Sequence, residues 1–249
     1  MFNEGSERGR PPNDDEDDYS YRKEGDMGLN PRVQRHLVRV YGHLSITSLF
    51  ALLAAFLALS EYLPQPNLLY GLLLSLGLLM LAQTSSFNLG IRTASLYGFG
   101  FLQGWNALSP VLRIVAPETA ISALLGALLL FVSFSGTAIY APRRALLFLI
   151  GPLSFVLALL FISSLVGLFV PRLLPSLFSF ELYAGLFLLT GYVLFDTQLM
   201  IERARSGRDT DAITPAATLF SDLLGIAIRL LVIQSRSTDR DKRRNRRQR

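Results

Sequence analysis

Six long apolar stretches, joined by short connections that carry most of the charge, constrain this chain more than any other feature. They cover residues 40–59, 67–83, 94–112, 119–140, 145–170 and 182–201, each near or above the ~20 residues a helix needs to cross a bilayer. A seventh, weaker stretch covers 215–234 and contains Asp222 and Arg229. In lipid every backbone N–H and C=O must be satisfied without water, so only helices and closed barrels span. These runs are too long for barrel strands and do not alternate. The sequence therefore predicts an all-α, polytopic membrane protein with seven helices.

Composition agrees and also divides the chain. Overall 51% of residues are hydrophobic and 17% charged, which excludes an ordinary soluble domain. The charges sit at the ends. Residues 1–35 hold nine acids and six bases, and 235–249 hold eight bases and two acids. The expected organisation is a disordered polar tail over 1–35, a transmembrane domain over 36–234 and a basic tail over 235–249. The acid run at 14–18 reads as part of a solvated tail. The first 35 residues lack an apolar core, so no signal peptide is expected. The chain has no cysteine, which excludes disulfides and thiolate sites.

Arginine in the short loops gives the orientation. The approach to the first segment has Arg32, Arg35 and Arg39, and loops two, four and six have Arg92, Arg143 with Arg144, and Arg203, Arg205 and Arg208. Loop one has no base, while Arg113 is balanced by Glu118 and Arg172 is followed by Glu181 in loops three and five. The N-terminus and even loops are expected to be cytosolic. The side of the basic tail depends on whether the seventh segment crosses fully or re-enters.

Within the sixth stretch, GYVLFDTQLMI over 191–201, stands Asp196. A carboxylate inside an apolar span is costly and marks a functional site with a partner. Depth counting supplies the partner. Asp196 lies six residues from the loop-six end at Glu202, roughly 9 Å. Thr214–Pro215 reads as a helix start, Thr as cap and Pro in the first turn. That places Asp222 roughly 10 Å from the same end on the antiparallel neighbour. Two carboxylates sharing a low-dielectric site do not both ionise readily and titrate as a unit. A shared proton would hold the helices together, and its loss would push them apart or recruit a cation. The competing reading is a structural pair joining two helices.

Arg229, seven residues past Asp222, is either a counter-charge in a polar pathway or a side chain snorkelling to the far interface. His43, Trp105 and the tyrosines are expected to pack helices or anchor interfaces. No HExxH, GxSxG or phosphate loop occurs, so an enzyme is not expected. The basic tail points to anionic lipid rather than nucleic acid.

These residues also form a recognisable pattern. GYVLFDTQLMIERARSG followed by LFSDLLGIAIRLL, with QRHLVRVYGHL before segment one and SGTAIYAPRRALLFLIGPL across loop four, resembles the Bax-inhibitor family, and most closely its endoplasmic-reticulum branch. The likeness covers roughly residues 30–249. It implies a seven-helix bundle with the C-terminal helix near the centre. It also implies a pH-dependent calcium leak that lowers store calcium and suppresses cell death, with gating aspartates that carry over to Asp196 and Asp222. Some relatives hold those aspartates with an arginine near the end of helix two. Arg92 is the nearest candidate, although it starts segment three. The stretch GWNALSP over 104–110 is more polar and bulkier than the family pattern.

The residues and the resemblance together suggest a calcium-permeable channel with a weak ion site at Asp196 and Asp222. Two carboxylates fall short of the six to eight oxygens calcium prefers, so carbonyls and water must complete it. No cofactor is expected, and calcium enters only as the transported species. Two other functions fit the same residues: a non-conducting scaffold that binds apoptosis-regulating membrane proteins, and a proton-coupled cation exporter.

Overall fold

The computed structural model describes residues 31–64, 67–142, 144–207 and 211–248. The acid run at 14–18, Arg143 and Arg208 lie outside the described residues. Among the described residues all regular structure is helical. Among the described residues there are seven long helical segments, besides short 3-10 turns at Leu147–Leu149 and Pro171–Leu173: α1 (Pro31–Leu59), α2 (Leu68–Gln83), α3, α4 (Pro117–Tyr140), α5 (Ile150–Phe169), α6 (Leu174–Arg205) and α7 (Ile213–Gln248). The third, α3, has three unbroken parts: an α-helix over Leu89–Gln103, a π-helical turn over Gly104–Leu108 and an α-helical end over Ser109–Ile114. Five helices are long and apolar enough to cross a membrane, and α2 is a shorter apolar helix. The protein is a multi-pass membrane protein.

The outer surface explains itself only in lipid. Leu129 is 68% exposed and Phe187 69%. Contiguous apolar surface of this kind is a liability in water and the normal solvent face in a bilayer. The interior is built differently, from small residues. Ala51, Ala54, Ala55 and Ala58 are buried on α1. Gly100 and Gly104, four residues apart on α3, press against α1. A Cβ on Gly100 would collide with Thr47, and one on Gly104 with the Ala51 carbonyl. This small-xxx-small contact lets the two backbones approach closely, which is how helices associate when lipid removes the hydrophobic drive.

At the centre stands α7. It packs against α1, α2, α3, α4 and α6. Half of its most apolar window is buried, against 11–33% for the other four long helices, so it is the core helix of the bundle.

Several boundaries differ from the sequence expectation, each for a physical reason. α1 starts at Pro31 instead of 40, because Val33, Leu37, Val40 and Leu44 recur at helical spacing and are all buried. The interleaved Arg32, Arg35 and Arg39 break the apolar run without breaking the helix. α6 starts at Leu174 instead of 182, ahead of Glu181, and ends where Gly207 adopts φ +67°. The departure at 104–110 coincides with the π-turn. Pro110 cannot donate a backbone bond, and Ser109 Oγ donates to the Trp105 carbonyl at 2.7 Å instead. Trp105 Nε1 donates to the Pro64 carbonyl at 3.0 Å, tying this turn to the connection after α1.

α7 begins at Ile213 and not at Thr214–Pro215. It also continues as one helix through the basic stretch to Gln248. It does not turn back. Its far part meets the opposite end of the bundle, where Gln234 bonds Ser122 near the start of α4 and Arg236 lies 4.3 Å over the Phe178 ring of α6. The basic stretch therefore leaves the bundle at the end opposite loop six.

Candidate functional site

The site begins with three consecutive polar residues on α6. Successive helical residues are about 100° apart, so Asp196, Thr197 and Gln198 must face three directions. Thr197 is fully buried and shares a hydrogen bond with Ser135 of α4 at 3.2 Å. Ser135 is bonded in turn to the Tyr41 hydroxyl of α1. Gln198 closes loop four: its Nε2 donates to the Pro142 carbonyl at 2.9 Å, and its Oε1 accepts from the Leu146 amide. The remaining direction, toward α7, belongs to Asp196.

There it meets Asp222. The two carboxyl groups are neighbours and act on each other electrostatically. Asp222 is buried, at 6% exposure, and among the described residues its Oδ2 has no donor to accept from. An ionised carboxylate only accepts hydrogen bonds. Two such groups side by side therefore call for a proton, or a cation, between them. The depth count from loop six identified this pairing even though the helix start it used is one or two residues late.

Asp196 is half-buried, and a cavity of about 50 Å³ reaches it. The cavity is lined by Asp196, Met200 and Arg203 of α6, by Thr214 and Thr218 of α7, and by His36 of α1. Thr214, Thr218 and Asp222 are spaced i, i+4, i+8, so they form one stripe along α7. Asp196, Met200 and Arg203 form the facing stripe on α6. These lining residues run from the loop-six ends of α6 and α7 to Asp196, and the space has room for water. Among the described residues no three His, Asp or Glu side chains gather as a metal site.

Arg92 sits elsewhere. It lies in the first turn of α3, buried at 8% exposure. Its Nε donates to the Ala82 carbonyl of α2 at 2.9 Å, and its Nη2 pairs with Asp211 Oδ2 at 2.6 Å and reaches Thr214 Oγ1 at 3.4 Å. Asp211 is the residue that caps α7. Its Oδ1 accepts from the Ile213 amide at 3.0 Å and its Oδ2 from the Thr214 hydroxyl at 2.6 Å. Burial alone would raise the Asp211 carboxyl, but the bonds from Thr214, Arg92 and the Ile213 amide outweigh it and hold its pKa below the ordinary 3.8. The sequence expectation of Thr214 as the cap missed this, although an Asp two residues ahead of the helix was a readable signal.

Arg229 does not reach the acid pair by any ion pair. Its guanidinium lies across Gly185 of α6 and donates to its own helix at the Gly225 carbonyl, 3.4 Å away. A Cβ at Gly185 would fall 2.5 Å from Arg229 Nε, so glycine makes the space for this side chain. His43 bonds the Tyr97 hydroxyl at 2.9 Å, joining α1 to α3.

A family profile described as inhibitor of apoptosis-promoting Bax1 matches residues 33–239. Among curated relatives, the probable Bax inhibitor 1 of Paralichthys olivaceus is 36% identical over 221 residues, covering 86% of this chain and 91% of its own. Bax inhibitor 1 of Homo sapiens is 36% identical over 210 residues, covering 82% and 87%. Bax inhibitor 1 of Arabidopsis thaliana is 34% identical over 221 residues, covering 84% of each chain.

Proposed function

The chain belongs to the Bax-inhibitor family, and from that membership and the site we propose that it is a pH-sensitive cation leak, with calcium as the transported ion, that restrains cell death from the endoplasmic-reticulum membrane. The observation that carries the reading is the pairing of Asp196 with Asp222 beside a cavity that Asp196 lines together with Arg203, Thr214 and Thr218. Calcium and the membrane of residence come from the resemblance, and the names of the relatives support the role in apoptosis.

With one proton between them, the two carboxyl groups bond and hold α6 against α7. Without it, two like charges in a low-dielectric site repel, which is relieved by separating the helices or by admitting a cation. The threonine hydroxyls, backbone carbonyls and water of the cavity would complete a calcium shell of six to eight oxygens. With only two carboxylates, binding is weak, as permeation requires.

The test is calcium efflux from proteoliposomes across a pH series. The reading predicts a wild-type flux that changes with pH and a flux that is flat in Asp196→Asn and in Asp222→Asn. Unaltered flux and pH dependence in both variants would remove the acid pair from the mechanism.

A further inference from the structure

The Arg92–Asp211 ion pair lies outside the acid pair, and nothing in the proposed passage uses it. We infer that Arg92 and Asp211 are positioning residues that fasten the start of α7 to the α2–α3 hairpin and so keep Asp222 seated against Asp196. The inference rests on the reading of that pair as the closure of a passage.

Three observations support it. First, Arg92 joins three elements at once: α2 through the Ala82 carbonyl, its own α3, and the cap of α7 through Asp211 and Thr214. The planar guanidinium fork suits such a role, whereas lysine would be a point charge. Second, the pair is shielded, with side chains only 10% and 23% exposed, so salt screens it little. The Asp211 charge also lies at the positive end of the α7 dipole. Third, Thr214 belongs to both places. Its hydroxyl donates to Asp211, and it lines the cavity above Asp196. Thr214, Thr218 and Asp222 are on one helical stripe, so a displacement of the first turn of α7 moves the cavity wall and Asp222 together.

The native chain has no cysteine, so one introduced thiol reports access directly. Thr218→Cys in the full chain, reconstituted in lipid, is labelled with a water-soluble maleimide at neutral pH. Asp211→Asn is the decisive background: asparagine keeps the Oδ1 cap on the Ile213 amide, while its Nδ2 cannot accept from Arg92 and Thr214 as Oδ2 does, so the fastening is lost and the cap kept. Labelling is expected to accelerate on the order of tenfold in Asp211→Asn, and similarly in Arg92→Gln. Arg92→Lys, which keeps the charge without the fork, is expected to fall between. Ser163→Cys, buried on α5, is expected to keep its rate in every background. An unchanged rate at position 218 in Asp211→Asn overturns the inference, as does an equal acceleration at 163, which would make the ion pair general scaffolding. If Arg92→Gln does not fold, Asp211→Asn decides alone. Because access is read without calcium, a flux that ignores the acid pair would sink the leak while leaving the fastening of α7 to be judged by labelling.

Discussion

Asp196 of α6 and Asp222 of α7 are interacting neighbours, and the buried Oδ2 of Asp222 has no donor among the described residues. An amide in place of either acid would supply one. Asp222→Asn is therefore expected to stabilise the bundle in alkali, once the native pair has given up its proton, by roughly the 0.5–1.5 kcal/mol of a net hydrogen bond. At about pH 4, where a proton can serve the native pair, the gain is expected to shrink. Thermal melting in detergent across pH checks this; a gain that does not vary with pH would speak against a proton in the native contact.

The Arg92–Asp211 pair predicts the opposite pH behaviour. The Asp211 carboxyl is held below the ordinary 3.8, so its stabilisation is complete above that value and is lost only as pH falls through the depressed one. The stability difference between wild type and Asp211→Asn should be constant from about pH 8 to about pH 5 and close only in stronger acid. A difference that already vanishes near neutrality would show that the ion pair is itself the titrating element.

Gln198 contributes through two backbone bonds to loop four, one to the Pro142 carbonyl and one from the Leu146 amide. Gln198→Leu keeps the bulk and removes both. Leaving those groups unmatched costs about 1–3 kcal/mol. Amide exchange at Leu146 should accelerate while exchange in α7 stays slow. Uniform acceleration throughout would mean that the glutamine supports the whole bundle.

The α1–α3 crossing makes a steric prediction. Gly104→Ala places a Cβ against the Ala51 carbonyl and is expected to cost about 1–3 kcal/mol, the usual penalty of overpacking. Gly136→Ala meets nothing within 4 Å and is expected to stabilise α4 slightly, by about 0.5–1 kcal/mol, through helix propensity. Parallel melting curves decide, and a harmless Gly104→Ala would mean that the two helices are not held at this distance.

The fold and the acid pair were legible because both are one-dimensional signals. Apolar length gives spans, and depth from a loop gives level, which is enough to place Asp196 beside Asp222. What escaped is lateral. Thr197 and Gln198 sit beside Asp196 in sequence, but their partners, Ser135 and the loop at Pro142–Leu146, are more than 50 residues away. Arg92 and Asp211 are 119 positions apart, and only the folded hairpin brings them together. The extension of α1 to Pro31 was hidden because hydropathy averages over all faces, whereas burial selects one.

The central claim is that a proton between Asp196 and Asp222 governs passage. Infrared difference spectroscopy on the reconstituted protein, run over the pH range of the flux assay, tests it most directly. The account predicts a protonated-carboxyl band that disappears as pH rises, over the interval in which calcium flux changes, and that is absent in Asp222→Asn. A flux that changes with pH while that band stays constant, or a band that persists unaltered in Asp222→Asn, would contradict it.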